Sequence, residues 1–542
     1  MTRTRLALPA RPWLAAGFLL LQVGVMLVAI SRESFWIDEF WSAYFASLDS
    51  VRQLVELLMI PSGSQTPFHF AYGFFWGQFF PLSEAGLRLS NLPLFLMGQA
   101  SLWWALRAYS RTFAWWLMAL SAMHPMVWQY ANEMRQYVMM YAGAEMILAY
   151  LLHIHAADRR DRRVGVAASA VFVVGSTLLF GASLLGVFWV AAAWVYVAWF
   201  HHRHLDWRYL KRGPTLALGL AFIAMSGMLT AYYLSSLLRG GGASRISSTT
   251  LATLVFDGYE LLGLSGVGPG RLELRDGGFA SLGPYWIWLI PIVVVVIAAL
   301  LIGVREAMLR LGTRGFALAA VLGVLPMAIV VVSGFAMHWR VLGRHMIAEL
   351  PMLNLVFALG LTRLCRPGDG RGLLLRVTIA AAFSLAFVYS SCSLRFAERH
   401  RKDDYLAAAA IAKQELAAGK RVWWAADALG ARYYGLPGDF DYLGELTGQH
   451  KPPGCEDRPG VQAIAAAPAG CLEKLVSPDV VILSKPETFD ANGVIAGYLK
   501  NRSFAKVREL PAFTIWRPAP APSPAPAPSA ASSASRATDS RQ

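Results

Sequence analysis

Apolar residues along this chain gather into long runs separated by short, Arg-rich connections, from residue 13 to about residue 395. Runs of this length cross a bilayer core as helices rising about 1.5 Å per residue. Eleven are counted, near 12–31, 89–108, 112–127, 136–155, 164–180, 182–200, 214–236, 284–303, 315–335, 345–363 and 373–394, the fifth and sixth joined only by Gly181-Ala182-Ser183. Every second connection is rich in Arg: Arg107/Arg111, Arg159/Arg160/Arg162/Arg163, Arg203/Arg208/Lys211/Arg212, Arg305/Arg310/Arg314 and Arg363/Arg366/Arg371/Arg376. The positive-inside rule then puts the N-terminus inside, and residues 32–88, 124–135, 237–283, 336–344 and everything after 395 outside. Of these outer segments, Thr66–Phe80 reads as a helix lying in the membrane interface and 237–283, with Gly240-Gly241-Gly242, as a mobile covering loop.

Beyond Arg395 the period changes. Asp403–Gly419 and Ala491–Lys500 read as helices, and Arg421–Ala425, Asp479–Leu483 and Phe513–Trp516 as strands, with a loop and helix over Ala426–Tyr434. This is the alternation of a small α/β domain, 396–517, outside the membrane. The Pro/Ala/Ser repeat of 518–542 has nothing to build a core with and reads as disordered.

Composition supports the membrane reading. Hydrophobic residues make up 56% of the 542, and the mean hydropathy is +0.44, too apolar for a soluble protein. A formal charge of +15 invites nucleic acid as a partner, but the Arg residues sit in the connections between spans and form no basic, aromatic-interleaved module. Nucleic acid is therefore excluded. Arg3, Arg5 and Arg11 before the first run look like a signal peptide; without a small-x-small cleavage site the run reads as an uncleaved first span. Cys365 and Cys392 lie at or in apolar runs, whereas Cys455 and Cys471 can form a disulfide in an oxidising compartment. Neither pair has zinc-site spacing, and no P-loop, dinucleotide fingerprint, HExxH or GxSxG stands in a usable context.

Three outer clusters carry candidate chemistry. Arg32–Tyr44 follows the first run directly, with Asp38 and Glu39 among Phe35, Trp36, Phe40, Trp41 and Tyr44. A carboxylate in apolar surroundings is hard to ionise without support, which suits a general base; a solvated loop acid beside an aromatic belt is the plain alternative. In the second cluster, His124–Tyr137, a helix would put Tyr130 with Glu133 and Glu133 with Tyr137 on one face, and Arg135 on another. The third, His338–His345, holds Arg340 and Arg344, whose guanidinium forks suit a lipid-linked phosphate; snorkelling to headgroups is the competing account. Glu145 and Glu349 fall inside apolar runs and need partners. An interhelical hydrogen bond is expected for Glu145, and for Glu349 an ion pair with His345 four residues earlier.

These clusters together resemble the GT-C class of integral-membrane glycosyltransferases, and within it the bacterial relatives of the protein O-mannosyltransferases and of the lipid A aminoarabinose transferase. Four stretches carry the likeness: Trp36–Ala43 as the acidic first-loop motif, Pro67–Arg88 as the amphipathic segment before the second span, Tyr130–Tyr137 as a Glu-x-Arg-x-Tyr segment, and Arg344-His345 before Pro351. The chain has Gln65-Thr66-Pro67 where the family often has His-Pro-Pro, and His345 where it has Tyr. The resemblance implies an all-α polytopic membrane domain over 1–395 and transfer of a sugar, with inversion, from a polyprenyl-phosphate donor to an acceptor hydroxyl or phosphate on a glycolipid, polysaccharide or protein, at the outer face of a bacterial inner membrane. It implies Asp38 as general base and Glu39, Glu133, Arg135, Tyr137, Arg340, Arg344 and His345 as substrate-binding residues. No metal ligand is assigned, and a divalent metal is permitted rather than required. A lipid or polysaccharide flippase, or a non-catalytic assembly subunit on the same scaffold, is the alternative. A flippase would concentrate charge within the spans and show repeat symmetry, whereas here the charges gather at one face.

Overall fold

The structure is a computed structural model and describes residues 12–60, 66–159, 164–204, 213–239, 248–366, 372–440 and 455–519. The Pro/Ala/Ser repeat from 520 onward, the basic residues before 12, Gln65, Gly240–Gly242 and several of the Arg residues between spans lie outside them. The chain falls into two compact units. One runs to Ala407 and takes in Ala428–Gly435; the other holds Ala408–Asp427, Leu436–Asp439 and the chain from 455 to 519.

The first unit is helical. In order it contains α1 (Pro12–Ala29), α2 (Ile37–Ala46), α3 (Val51–Leu58), α4 (Pro67–Gly77), α5 (Glu84–Arg88), α6 (Asn91–Leu106), α7 (Arg111–Met123), α8 (Pro125–Ala131), α9 (Tyr137–Asp158), α10 (Val166–Ala182), α11 (Gly186–His204) and α12 (Gly213–Leu238). It continues with α13 (Leu251–Leu261), α14 (Arg271–Gly277), a 3-10 helix (Gly278–Tyr285), α15 (Trp286–Ala336), a second 3-10 helix (Gly343–Glu349), α16 (Leu350–Leu364) and α17 (Leu373–Phe396). Each of the eleven apolar runs is helical. Among the described residues, five helical stretches are long and apolar enough to cross a membrane: Tyr137–Asp158, Gly213–Leu238, Gly278–Ala336, Gly343–Leu364 and Leu373–Phe396. The protein is a multi-pass membrane protein.

The connection carrying Arg305, Arg310 and Arg314 contains a kink: α15 is two helices that meet at Gly312, which has φ +70° and ψ 166°. Glycine reaches that conformation without a Cβ penalty. Two expectations are corrected here. The described part of 237–283 is not a loose cover but α13, α14 and a 3-10 helix, with the first capped by Thr250, whose Oγ1 accepts from the Thr253 amide at 3.2 Å. And 130–137 is not one helix. α8 ends at Ala131 and α9 starts at Tyr137, because side chains from elsewhere take the backbone groups of the intervening turn. Asn91 Nδ2 donates to the carbonyls of Ala131 (3.0 Å) and Glu133 (2.8 Å), and the Met134 amide donates to Glu39 at 2.8 Å. Those partners stand in for three of the backbone hydrogen bonds an unbroken helix would make.

The two intramembrane acids also find partners on other helices. Glu145 in α9 accepts from Gln99 Nε2 of α6 at 2.8 Å. Glu349 does not pair with His345; its Oε2 accepts from the Trp189 indole of α11 at 3.0 Å. His345 instead caps its own turn, its Nδ1 accepting from the Leu342 amide at 3.1 Å.

The second unit is built on a five-stranded sheet of β1 (Val422–Ala425), β2 (Gln462–Ala463), β3 (Val480–Ser484), β4 (Phe504–Leu510) and β5 (Phe513–Pro518), in the order β2-β1-β3-β5-β4. β1 runs parallel to β2 and β3, while β5 is antiparallel to β3 and β4. Helices α18 (Tyr405–Ala417), α19 (Ala428–Tyr433), α20 (Pro486–Phe489) and α21 (Val494–Asn501) are interspersed with the strands along the chain, and α19 belongs to the first unit. Trp423, Val481, Leu483, Ile495 and Leu499 form part of the sheet unit's core. Cys455 and Cys471 are joined as a disulfide.

Candidate active site

The site is assembled on α2, whose first turn carries Asp38 and Glu39. The two neighbours face different surroundings. Glu39 is fully buried, while the Asp38 side chain is 29% exposed.

Glu39 is fixed by three segments distant in sequence. Arg88, at the end of α5, grips both carboxylate oxygens, Nε to Oε1 at 2.9 Å and Nη2 to Oε2 at 2.8 Å. Its remaining N–H groups donate to the carbonyls of Ser31 (3.2 Å), Glu33 (2.7 Å) and Ser34 (3.1 Å). All five guanidinium donors are thereby used, and they hold the whole stretch from Ser31 to Glu39 in one conformation. The Met134 amide and Lys402 Nζ (3.0 Å to Oε2) complete the carboxylate's partners. Burial by itself would push the Glu39 carboxyl up; Arg88 and Lys402 outweigh it and bring it down to about 2. Glu39 is thus a keystone that is charged at neutral pH. Aromatic packing supports it: α19 lies against α2, with Phe40 5.7 Å from the Tyr433 ring and 5.8 Å from that of Tyr434. A Cβ on Gly430 would come to 2.8 Å from the Phe40 ring, so only glycine allows that approach.

Asp38 faces the other way, toward arginines. Arg344 Nη2 lies 3.4 Å from its Oδ2 and Arg135 Nη2 4.0 Å, and Arg135 Nη1 donates to the Asp38 carbonyl at 3.1 Å. Arg344 is sandwiched between aromatic rings, 5.1 Å from the Trp36 centroid and 5.8 Å from that of Tyr137. Among the described residues neither Arg344 Nε nor Arg135 Nε has a partner, although both are buried. Two buried donors left over beside a partly exposed carboxylate are what an anionic ligand would satisfy. His69, buried near them and 3.0 Å from Ser42 Oγ, is pushed down to about 3, first by burial and then by the charge of Arg135, so it adds no charge.

The rim continues through α8 and α14. Arg271 Nη1 pairs with Glu133 Oε1 at 3.2 Å, its Nη2 donates to the Tyr130 hydroxyl at 2.9 Å, and Glu260 Oε1 lies 3.7 Å away. The Tyr130 and Tyr137 rings, 4.7 Å apart, join this half to the Arg344 half. Glu260 is pushed up by burial, against the pull of Arg271 and Arg344. Among the described residues no three His, Cys, Asp or Glu side chains converge as a metal site.

The structure therefore brings Asp38, Arg135, Tyr137 and Arg344 together, puts Glu39 beneath them as support, and links Glu133 to them through Arg271. His345 caps its own turn, within reach of the charges of Arg344 and Arg135. Arg340 is exposed, and among the described residues no ion pair joins it to Asp38. Its charge acts on Asp257 of α13, whose buried carboxyl is pushed up to about 8 by desolvation and Glu260 in spite of Arg340. Four residues central to this arrangement, Arg88, Lys402, Arg271 and Glu260, were not singled out by sequence. Arg88 alone had a usable signal, an arginine between Leu87 and Leu89 at the entrance to an apolar run.

No protein-family model matches the sequence, and no curated protein does. Solved structures do. The crystal structure of ArnT from Cupriavidus metallidurans in the apo state aligns with a TM-score of 0.51 at 13% identity, covering 94% of this chain and 98% of that one. This chain has the GT-C glycosyltransferase fold. The same ArnT bound to undecaprenyl phosphate aligns at a TM-score of 0.46, 14% identity and the same coverages. The arabinofuranosyltransferase AftD from mycobacteria aligns at 0.45 and 14% identity over 94% of this chain and 42% of its own. At such identities the GT-C likeness is one of fold.

Proposed function

We propose that this protein is an inverting glycosyltransferase that moves a sugar from a polyprenyl-phosphate donor to an acceptor hydroxyl or phosphate at the outer face of the membrane. The observation that carries this reading is the pairing of partly exposed Asp38 with Arg344 and Arg135, each retaining a buried, unpartnered Nε among the described residues. The donor phosphate takes up those free N–H groups and draws the guanidinium groups from Asp38. The acceptor oxygen attacks the anomeric carbon, its proton passes to the Asp38 carboxylate, and the bond from that carbon to the phosphate oxygen breaks with its electrons going to the polyprenyl phosphate. Charge grows on the phosphate as that bond lengthens, which is where fixed guanidinium groups lower a barrier. The GT-C fold, with its apolar helices, supports a lipid-borne donor.

The test is release of polyprenyl phosphate when purified protein is mixed with polyprenyl-phosphate hexoses and pentoses and an envelope extract as acceptor. Donor binding without release under all these conditions would leave a flippase or an assembly subunit. In the same assay Arg344→Lys keeps the charge but loses the fork and Nε, so turnover should fall about tenfold or more. A fully active Lys variant would remove the bidentate phosphate contact.

The proposed topology has eleven spans, the N-terminus inside and the sheet unit outside, where the Cys455–Cys471 disulfide can persist. A reporter active only in the cytoplasm, fused after Gln542, should stay silent. Signal from it would put the sheet unit on the wrong side.

A further inference from the structure

Glu39 needs one cation and has two. Arg88 already meets both of its oxygens, yet Lys402, which follows the last apolar helix, also brings its ammonium to Oε2 at 3.0 Å. Its side chain is only 13% exposed. Burying a second cation beside Arg88 is costly, and burial and Arg88 do depress the Lys402 amine, against the pull of Glu39 and Glu133. Something other than neutralising Glu39 must justify the cost. The same Nζ donates to the Asn132 carbonyl, in the turn between α8 and α9. That turn carries Glu133 and Arg135. Asn132 in turn reaches back to the α2 side, accepting the Ser31 amide on Oδ1 at 2.7 Å and donating to Glu33 Oε2 at 3.3 Å.

We propose that Lys402 is a positioning residue of the active site: it ties the loop that presents Asp38 to the turn that presents Arg135. It does not touch substrate. Arg88 rigidifies the first loop alone, whereas Lys402 joins Asn132, the Met134 amide and Arg135 in fixing the distance between the two loops, and so between the base and one of the phosphate-binding arginines. The segment after the last span thereby completes a site otherwise made by the outer loops of the membrane unit. This inference rests on the glycosyl-transfer reading for its kinetic consequences but not for its structural ones.

The test uses full-length protein in lipid nanodiscs carrying Lys402→Met, which keeps the aliphatic stem; Lys402→Gln serves if the Met variant is not monodisperse. Two readings are taken. Amide hydrogen exchange should quicken in both 31–36 and 132–136, and not in α10 or α16. With a polyprenyl-phosphate sugar donor, kcat per active site should fall about 10- to 100-fold while the donor KM stays within about twofold, the expected cost of a small misplacement of reacting groups. A merely structural lysine would lower the active fraction and leave kcat per active site in place. Unchanged exchange in either loop overturns the tie between them, whether or not the protein transfers sugar. Unchanged kcat with altered exchange overturns the positioning role. If wild-type protein transfers nothing from any donor, the glycosyltransferase reading fails and the exchange measurement alone decides whether Lys402 joins the loops.

Discussion

Asp38→Asn is expected to lower sugar transfer by about 10²- to 10⁴-fold while polyprenyl phosphate still binds. That range is the usual worth of a general base, and here one carboxylate meets the geometric demands. Glu39 is buried and committed to Arg88, Lys402 and the Met134 amide, so it has no lone pair to offer an acceptor. Glu133 is held by Arg271. Asp38 alone of the three is open to solvent on one side and arginine-lined on the other. Asn is nearly isosteric and leaves Arg344 and Arg135 free for the phosphate, so binding should hold or tighten. The measurement is single-turnover transfer beside equilibrium binding of polyprenyl phosphate. Near wild-type transfer by Asp38→Asn, with a dead Glu133→Gln, would move the base to Glu133.

The largest effect on the folded state is expected from Glu39→Gln. It leaves Arg88 and Lys402, both buried, facing each other across a neutral amide. Breaking a buried pair in this way typically costs about 3–5 kcal/mol, because the desolvation already incurred is no longer offset. The pH dependence follows from the same contacts. In the folded protein the Glu39 carboxyl sits at about 2, below the ordinary value near 4.3 that it regains on unfolding. Its contribution is therefore fully present above about pH 4.3 and is lost as pH falls toward 2, a difference of about 3 kcal/mol at 1.36 kcal/mol per unit. Thermal unfolding in nanodiscs at pH 7 and at pH 3.5 checks both statements. Wild type should lose stability between the two, and Glu39→Gln should start lower and lose less. A Gln variant as stable as wild type at pH 7 would remove the keystone role.

Much of this arrangement was legible in the sequence, for particular reasons. The apolar runs mark their helices because a bilayer admits few other solutions. Asp38, Glu39, Arg135 and Arg344 stood out because they gather among aromatic residues on the side where the positive-inside rule makes Arg less ordinary. What escaped reading depends on long-range pairing. Lys402 lies in Arg399-His400-Arg401-Lys402-Asp403-Asp404, which looks like any solvated charged stretch; its burial comes from Glu39, 363 residues earlier. Glu349 was matched to His345 by helical spacing, but its partner Trp189 is 160 residues away. The helix through 130–137 failed for the same cause, since Asn91 and Glu39 supply what an unbroken helix would have supplied itself. Local period cannot see a distant side chain that offers the backbone a better bargain.

The set of partners around Glu39 also prescribes an order of assembly during synthesis. Arg88 follows it by 49 residues, Met134 by 95 and Lys402 by 363. At about 5–20 residues per second, Arg88 is made within roughly 2–10 s of Glu39, while Lys402 arrives only after about 18–73 s. The nascent first loop can therefore be charge-balanced early, but the ammonium that joins it to the Asn132 turn is translated only after the last apolar helix. A ribosome that stalls or a chain that is clipped between Arg344 and that lysine leaves a membrane-inserted protein with its acid and arginines present but joined without the lysine, by the contacts of Asn132, Met134 and Arg135. Competence for transfer would then be conferred late, by a residue that signals the membrane unit is whole.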